Sequence, residues 1–128
     1  MSIDVSNTSF LVTGSAGFIG FHVSRSLLGR GAKVVGLDNF NDYYSPELKR
    51  RRDLELRQHP NFVPVEGDLV DFAGLAALFE EHRPQKICHL AAQAGVRYSL
   101  TNPCAYQTAN LEGFLNLLEL AKRHEVER

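Results

Sequence analysis

Residues 10–22 read FLVTGSAGFIGFH, and the order of residue types in this stretch decides the fold. Phe10 to Thr13 is an apolar, β-prone run of strand length. Gly14-Ser15-Ala16-Gly17 follows, with glycine at two points where the backbone must turn sharply. A helix is expected from Gly17 to about Arg30, with Gly31 ending it. A strand that empties through a glycine-rich turn into a helix gathers unsatisfied backbone N–H groups and the positive end of the helix dipole at one point. With no side chain in the way, a pyrophosphate can approach that point. Gly14, Gly17 and Gly20 form GxxGxxG, a weak signal alone that gains force from the strand before it and the helix after it. Gly14, Ala16, Gly17, Phe18, Ile19 and Gly20 are therefore the candidate phosphate-loop residues. Gly20 falls inside the helix, where glycine costs about 1 kcal/mol relative to alanine. Its presence implies close packing of helix against strand.

The alternation continues along the chain. Residues 33–37 (KVVGL) read as a second strand, and the polar loop DNFNDYY leads to Ser45-Pro46, an N-cap followed by proline at the first helical position. That helix is expected to reach about His59. Residues 61–66 (NFVPVE) read as a third strand, placed at a sheet edge because Pro64 lacks a ladder donor. A short helix over 71–83 carries Phe72, Leu75, Leu78 and Phe79 at helical spacing. Pro84 separates it from a fourth strand, KICHL, over 86–90. The stretch AAQAGVRYSLTN reads as a loop, and a long helix follows over 103–124 with Leu111, Phe114, Leu115, Leu118 and Ala121 on one face. Phe18, Phe72, Phe79 and Phe114 are read as core residues. Four β-α units with right-handed crossovers give an α/β chain, a Rossmann-type doubly wound parallel sheet of order 3-2-1-4. With 128 residues, 44% of them apolar, the expectation is one domain with no internal linker.

Asp38 stands 18 residues beyond Gly20, immediately after the second strand, where a carboxylate accepts hydrogen bonds from both hydroxyls of an adenosine ribose. A 2′-phosphate there would face Asp38, with no arginine among Asn39, Phe40 and Asn41 to neutralise it. The expected cofactor is accordingly NAD rather than NADP, with Asn39 at the same end of the site. Gly67-Asp68-Leu69 follows the third strand, where Asp68 and Leu69 are candidates for the adenine, although Gly-Asp is also an ordinary turn.

Composition narrows the other classes. Fourteen lysines and arginines face 15 acidic residues, so no sequence-wide field gathers nucleic acid or anionic membrane. Lys49, Arg50, Arg51, Arg52 and Arg57 make the second helix basic, but Glu47, Asp53 and Glu55 interleave as on a solvated face. No run approaches the ~20 apolar residues of a membrane span, and the polar opening residues do not resemble a signal peptide. A cytoplasmic location is expected. Cys88 and Cys104 form no CxxC, and the five histidines show no metal-ligand spacing.

The strings TGSAGFIG, LDNFNDYY, GDL and HLAAQAGVRYS together resemble the extended short-chain dehydrogenase/reductase family. Residues 37–52 (LDNFNDYYSPELKRRR) and 93–97 (QAGVR) look like its UDP-glucuronate 4-epimerases. The resemblance implies that Leu90, Ala91, Ala92 and Gln93 line the cofactor groove, with Asn110 approaching the same cofactor. On residue type alone, Asn110 is equally a satisfied core amide. Arg97, beyond the carboxyl end of the fourth strand, suits a sugar carboxylate or diphosphate, or else an ordinary surface position. The implied chemistry is oxidation at the sugar C4 by bound NAD, rotation of the 4-keto sugar, and hydride return to the opposite face of a UDP-sugar.

Family members use a YxxxK pair for that chemistry. Tyr43, Tyr44, Tyr98 and Tyr106 are followed four residues later by Glu47, Leu48, Asn102 and Asn110, so no such pair occurs. The chain is therefore expected to be the cofactor-binding front of a longer enzyme, inactive alone. Self-association is expected through an exposed sheet edge or helix, or as a homodimer. A nucleotide-sugar 4,6-dehydratase and a short non-catalytic nucleotide-binding module are the competing readings.

Overall fold

A computed structural model describes residues 3–41, 45–92 and 96–127. Four strands, β1 (Ser9–Thr13), β2 (Lys33–Asp38), β3 (Phe62–Glu66) and β4 (Lys86–His89), form one parallel sheet of order β3-β2-β1-β4. This is the expected doubly wound topology, with Pro64 on an edge strand as its missing N–H requires. Helices α1 (Phe18–Gly29), α2 (Pro46–Arg57) and α3 (Phe72–His82) make the crossovers.

Local signals fix the helix ends. The Ser45 hydroxyl accepts from the Leu48 N–H, and Pro46 opens α2. Asp71 caps α3 through the Gly74 N–H. Gly31, at φ +85°, turns the chain out of α1 in the left-handed region that favours glycine.

Alternation along the strands splits the core between the two faces of the sheet. Leu11, Val35 and Leu37 point to one face with Leu75, Leu78, Phe79, Leu117 and Leu120. Val12 and Val34 point to the other with Phe21, Leu28, Leu56 and Phe62. Each of these large side chains contributes about 1.5–3 kcal/mol by leaving water.

The final third of the chain departs from the reading of its sequence. Part of the expected loop is a helix, α4 (Val96–Thr101). The expected single helix is α5 (Pro103–Tyr106), a π-helical turn over Gln107–Glu112, and α6 (Gly113–Arg123). Gly113, Leu117 and Leu120 are the buried residues of α6. Leu111, Phe114, Leu115 and Leu118 are exposed instead, the opposite of a core stripe. Phe79 is fully buried as expected, whereas Phe18 is 68% exposed at the head of α1. Helical periodicity marked an apolar face in each case but carried no information about what covers it.

Candidate dinucleotide site

β1, β2 and β4 end at the same edge of the sheet, where a groove of about 690 Å³ opens. Ligands of doubly wound sheets bind at this carboxyl edge. The groove is lined by Gly14, Gly17, Phe18, Ile19, Gly20, Asp38, Asn39, Asp68, Leu69, Leu90, Ala91 and Ala92. A second cavity of about 340 Å³ lies at the amino edge, around Ser9 and Lys33.

The phosphate loop is built with no spare volume. Gly14 sits at φ +74°, and a Cβ there would meet the Ala91 nitrogen at 2.9 Å. A Cβ on Gly20 would stand 1.9 Å from the Gly14 carbonyl oxygen. The close approach expected of Gly20 is therefore to the loop's own backbone rather than to the strand. Gly17 donates to that carbonyl at 3.0 Å and caps α1 without a side chain. Phe18, Ile19 and Gly20 open the helix, so their N–H groups have no intrahelical acceptor.

Asp38, at the end of β2, is buried. One carboxylate oxygen accepts from the Ala16 N–H at 3.0 Å and the other from the Phe40 N–H at 2.8 Å. Each oxygen retains a second lone pair, and Asp38 lines the groove. Ala16 itself is fully buried and borders the site through its backbone. Beyond β3, the Asn39 amide donates to Asp68 at 3.3 Å, joining the expected ribose and adenine ends.

At the other end of the loop, the Thr13 hydroxyl accepts from the N–H groups of Leu90 and Ala91 at 3.0 and 3.1 Å. It also lies 2.7 Å from Nδ1 of His89. Burial pushes His89 below the ordinary histidine pKa, so its neutral form prevails. The His89 ring stacks on Phe114 at 5.3 Å.

Two expected site residues, Asn110 and Arg97, are absent from the groove lining. Gln93 lies outside the described residues. Ala109 lines the groove where Asn110 was expected, with Asn110 half-buried in the next position of the π-helical turn. Arg97 is exposed on α4 and does not line the groove. Reading the sequence also missed contributors from α2. Ser45, Leu48, Lys49 and Arg52 all line the groove, and Arg52 donates to the Ala16 carbonyl at 3.2 Å. Lys49 and Asp53 are buried, contrary to a wholly solvated helix face. Leu48, Lys49 and Arg52 follow an i, i+1, i+4 spacing that could have revealed the inward face.

Bare backbone at the loop, open N–H groups at the head of α1, a carboxylate after β2 and a long groove between them fit a dinucleotide. The fold and groove define a Rossmann-type dinucleotide-binding protein. Residues 11–128 match the family described as GDP-mannose 4,6 dehydratase, and the chain belongs to this family of NAD-dependent nucleotide-sugar epimerases and dehydratases. It is 56% identical over 114 residues to UDP-glucuronate 4-epimerase 3 of Arabidopsis thaliana, covering 89% of this chain and 26% of that protein. The chain thus spans about a quarter of the length of that curated relative.

Among solved structures, the UDP-Glc/GlcNAc 4-epimerase of Campylobacter jejuni superposes with a TM-score of 0.84 at 32% identity, covering 94% of this chain and 35% of that one. The UDP-glucuronic acid 4-epimerase of Bacillus cereus, solved with NAD and a fluorinated UDP-glucuronic acid, superposes with a TM-score of 0.81. It is 34% identical, covering 88% of this chain and 36% of that one.

Proposed function

We propose that this chain is the NAD-binding portion of a nucleotide-sugar 4-epimerase that interconverts UDP-glucuronate and UDP-galacturonate. The observation that carries the proposal is Asp38, held by the Ala16 and Phe40 N–H groups at the end of β2 and facing the groove. A carboxylate there suits the vicinal hydroxyls of an unphosphorylated ribose. The choice of sugar is supported by the curated relative and by the solved Bacillus cereus enzyme, both UDP-glucuronate epimerases. Their names favour the epimerase over a dehydratase.

The residues of this chain bind and orient. The open N–H groups of Phe18, Ile19 and Gly20 receive the diphosphate, Asp38 the ribose, and Asn39, Asp68 and Leu69 the adenine end. Ala91 and Ala92 leave room where β4 exits. Bound NAD supplies hydride acceptance and return at the sugar C4. These 128 residues contain no YxxxK pair of the kind the family resemblance implies. Arg97 is the proposed contact for the sugar carboxylate or diphosphate. The exposed Leu111, Phe114, Leu115 and Leu118 face is the proposed self-association surface.

Calorimetric titration of the chain with NAD and NADP, with Asp38→Arg alongside, tests the cofactor assignment. Selective NAD binding that the variant loses supports it, and no binding of either dinucleotide overturns it. Product analysis of a longer protein carrying this sequence, supplied with UDP-glucuronate, tests the sugar.

A further inference from the structure

Helix α2 presents its cations in two ways. Arg50, Arg51 and Arg57 turn outward and each meets a carboxylate: Glu66 at 2.6 Å, Glu47 at 2.8 Å and Asp53 at 2.7 Å. Lys49 and Arg52 turn into the groove, and among the described residues neither has a carboxylate within ion-pair distance. Their partners are neutral: the Asn41 side-chain carbonyl accepts from Lys49 Nζ at 2.9 Å, and the Ala16 carbonyl from Arg52 at 3.2 Å.

Lys49 is only 8% exposed. Burying an ammonium without a counter-charge is expensive, so an anion is the expected partner. The two groove carboxylates do not serve, because Asp38 is held by the N–H groups of Ala16 and Phe40, and Asp68 by the Val70 N–H and the Asn39 amide. Arg52 reaches the groove at Ala16, inside the phosphate loop, and its guanidinium lies 5.9 Å from the centre of the Phe18 ring. Both cations therefore border the same groove as the phosphate loop, Arg52 beside Ala16 and the head of α1 and Lys49 beside Asn41.

We propose that Lys49 and Arg52 form a phosphate-binding pair, gripping the diphosphate of the dinucleotide from α2 alongside the N–H groups at the head of α1. The inference rests on the dinucleotide reading above and adds two side chains to a grip otherwise made of backbone. A guanidinium and an ammonium suit this task, since charge-assisted bonds to phosphate oxygens are the strong ones.

The test uses the full chain, its Lys49→Met and Arg52→Gln variants, and titrations with NAD, NADP and ADP at two salt concentrations. Each variant is expected to bind NAD and ADP about tenfold more weakly, with a shallower salt dependence because one cation fewer faces the phosphates. Lys49→Met is expected to unfold at the same temperature as the parent or higher, because an apolar side chain replaces a buried charge. Weaker binding in a fold of unreduced stability is the combination a purely structural lysine would not produce.

Unchanged NAD and ADP affinity in both variants overturns the pair. So does weakened binding that tracks a lowered unfolding temperature with an unaltered salt dependence. A loss confined to NADP moves the pair to a 2′-phosphate and overturns the diphosphate assignment. Failure of the unsubstituted chain to bind any of the three nucleotides is a different result, and it removes the dinucleotide reading itself.

Discussion

A Cβ on Gly20 would stand 1.9 Å from the carbonyl oxygen of Gly14, so the first turn of α1 lies directly on the loop that precedes the helix. No rotamer relieves such a contact, because the backbone fixes the Cβ position and its partner is a backbone oxygen. Gly20→Ala is expected to destabilise the chain by about 1–3 kcal/mol and to weaken NAD binding by displacing the loop. Gly29, at the other end of the same helix, has nothing within 4 Å of its Cβ position. Gly29→Ala is expected to stabilise by about 0.4–1 kcal/mol with NAD affinity unchanged. Urea unfolding and NAD titration of the two variants check this contrast.

Asp38 joins the loop to the ribose end, so its charge and its shape are separable. Asp38→Asn keeps one carbonyl oxygen for the Ala16 N–H but loses the second acceptor and the charge. NAD affinity is expected to fall about tenfold or more, with a smaller change in unfolding temperature. Discrimination against NADP is expected to narrow, since the charge facing a 2′-phosphate is gone. Parallel titrations with both dinucleotides measure the ratio directly.

Thr13 accepts two N–H bonds through its hydroxyl oxygen, which leaves its one proton for His89 Nδ1. This assigns His89 as the neutral tautomer with its proton on Nε2. Burial places its folded pKa below the ordinary value, so above about pH 6.5 both folded and unfolded forms are neutral and the stability is fully present. As pH falls from there toward the lower folded pKa, the unfolded state takes up the proton first and stability declines. His89→Gln is expected to flatten this part of the stability profile in urea unfolding between pH 5 and 8.

Leu111, Leu115 and Leu118 are each at least half exposed, and Phe114 stands beside them. A contiguous apolar stripe of this kind drives association. Light scattering after size exclusion is expected to show an apparent mass that rises with concentration, and Leu115→Glu is expected to hold the chain monomeric. A clean monomer at high concentration for the unsubstituted chain would sink the proposed surface.

The parts of this molecule legible in its sequence are those fixed by local chemistry. Gly14, Gly17 and Gly31 declared turns and helix ends, Pro64 declared an edge, and the Ser45-Pro46 start of α2 was readable because capping involves only neighbours. Asp38 was readable because strand length alone carries it to the sheet's carboxyl edge. The contact between Arg52 and Ala16 spans 36 residues and leaves no periodic trace. The face of α6 was read in reverse because two apolar rows run along that helix. The inner row is the one in which Gly113 packs on Leu69 and Leu117 and Leu120 join the core.

That packing depends on the π-helical turn over Gln107–Glu112, which inserts extra residues into the helical winding ahead of Gly113. The turn therefore acts as a phase setting. Deleting one residue from it would rotate everything downstream by about 100°, one step of the α-helix. Leu117 and Leu120 would swing out of the core, and the apolar outer row would turn toward the sheet. The chain's inside and outside are told apart here by a single residue of winding rather than by hydrophobicity.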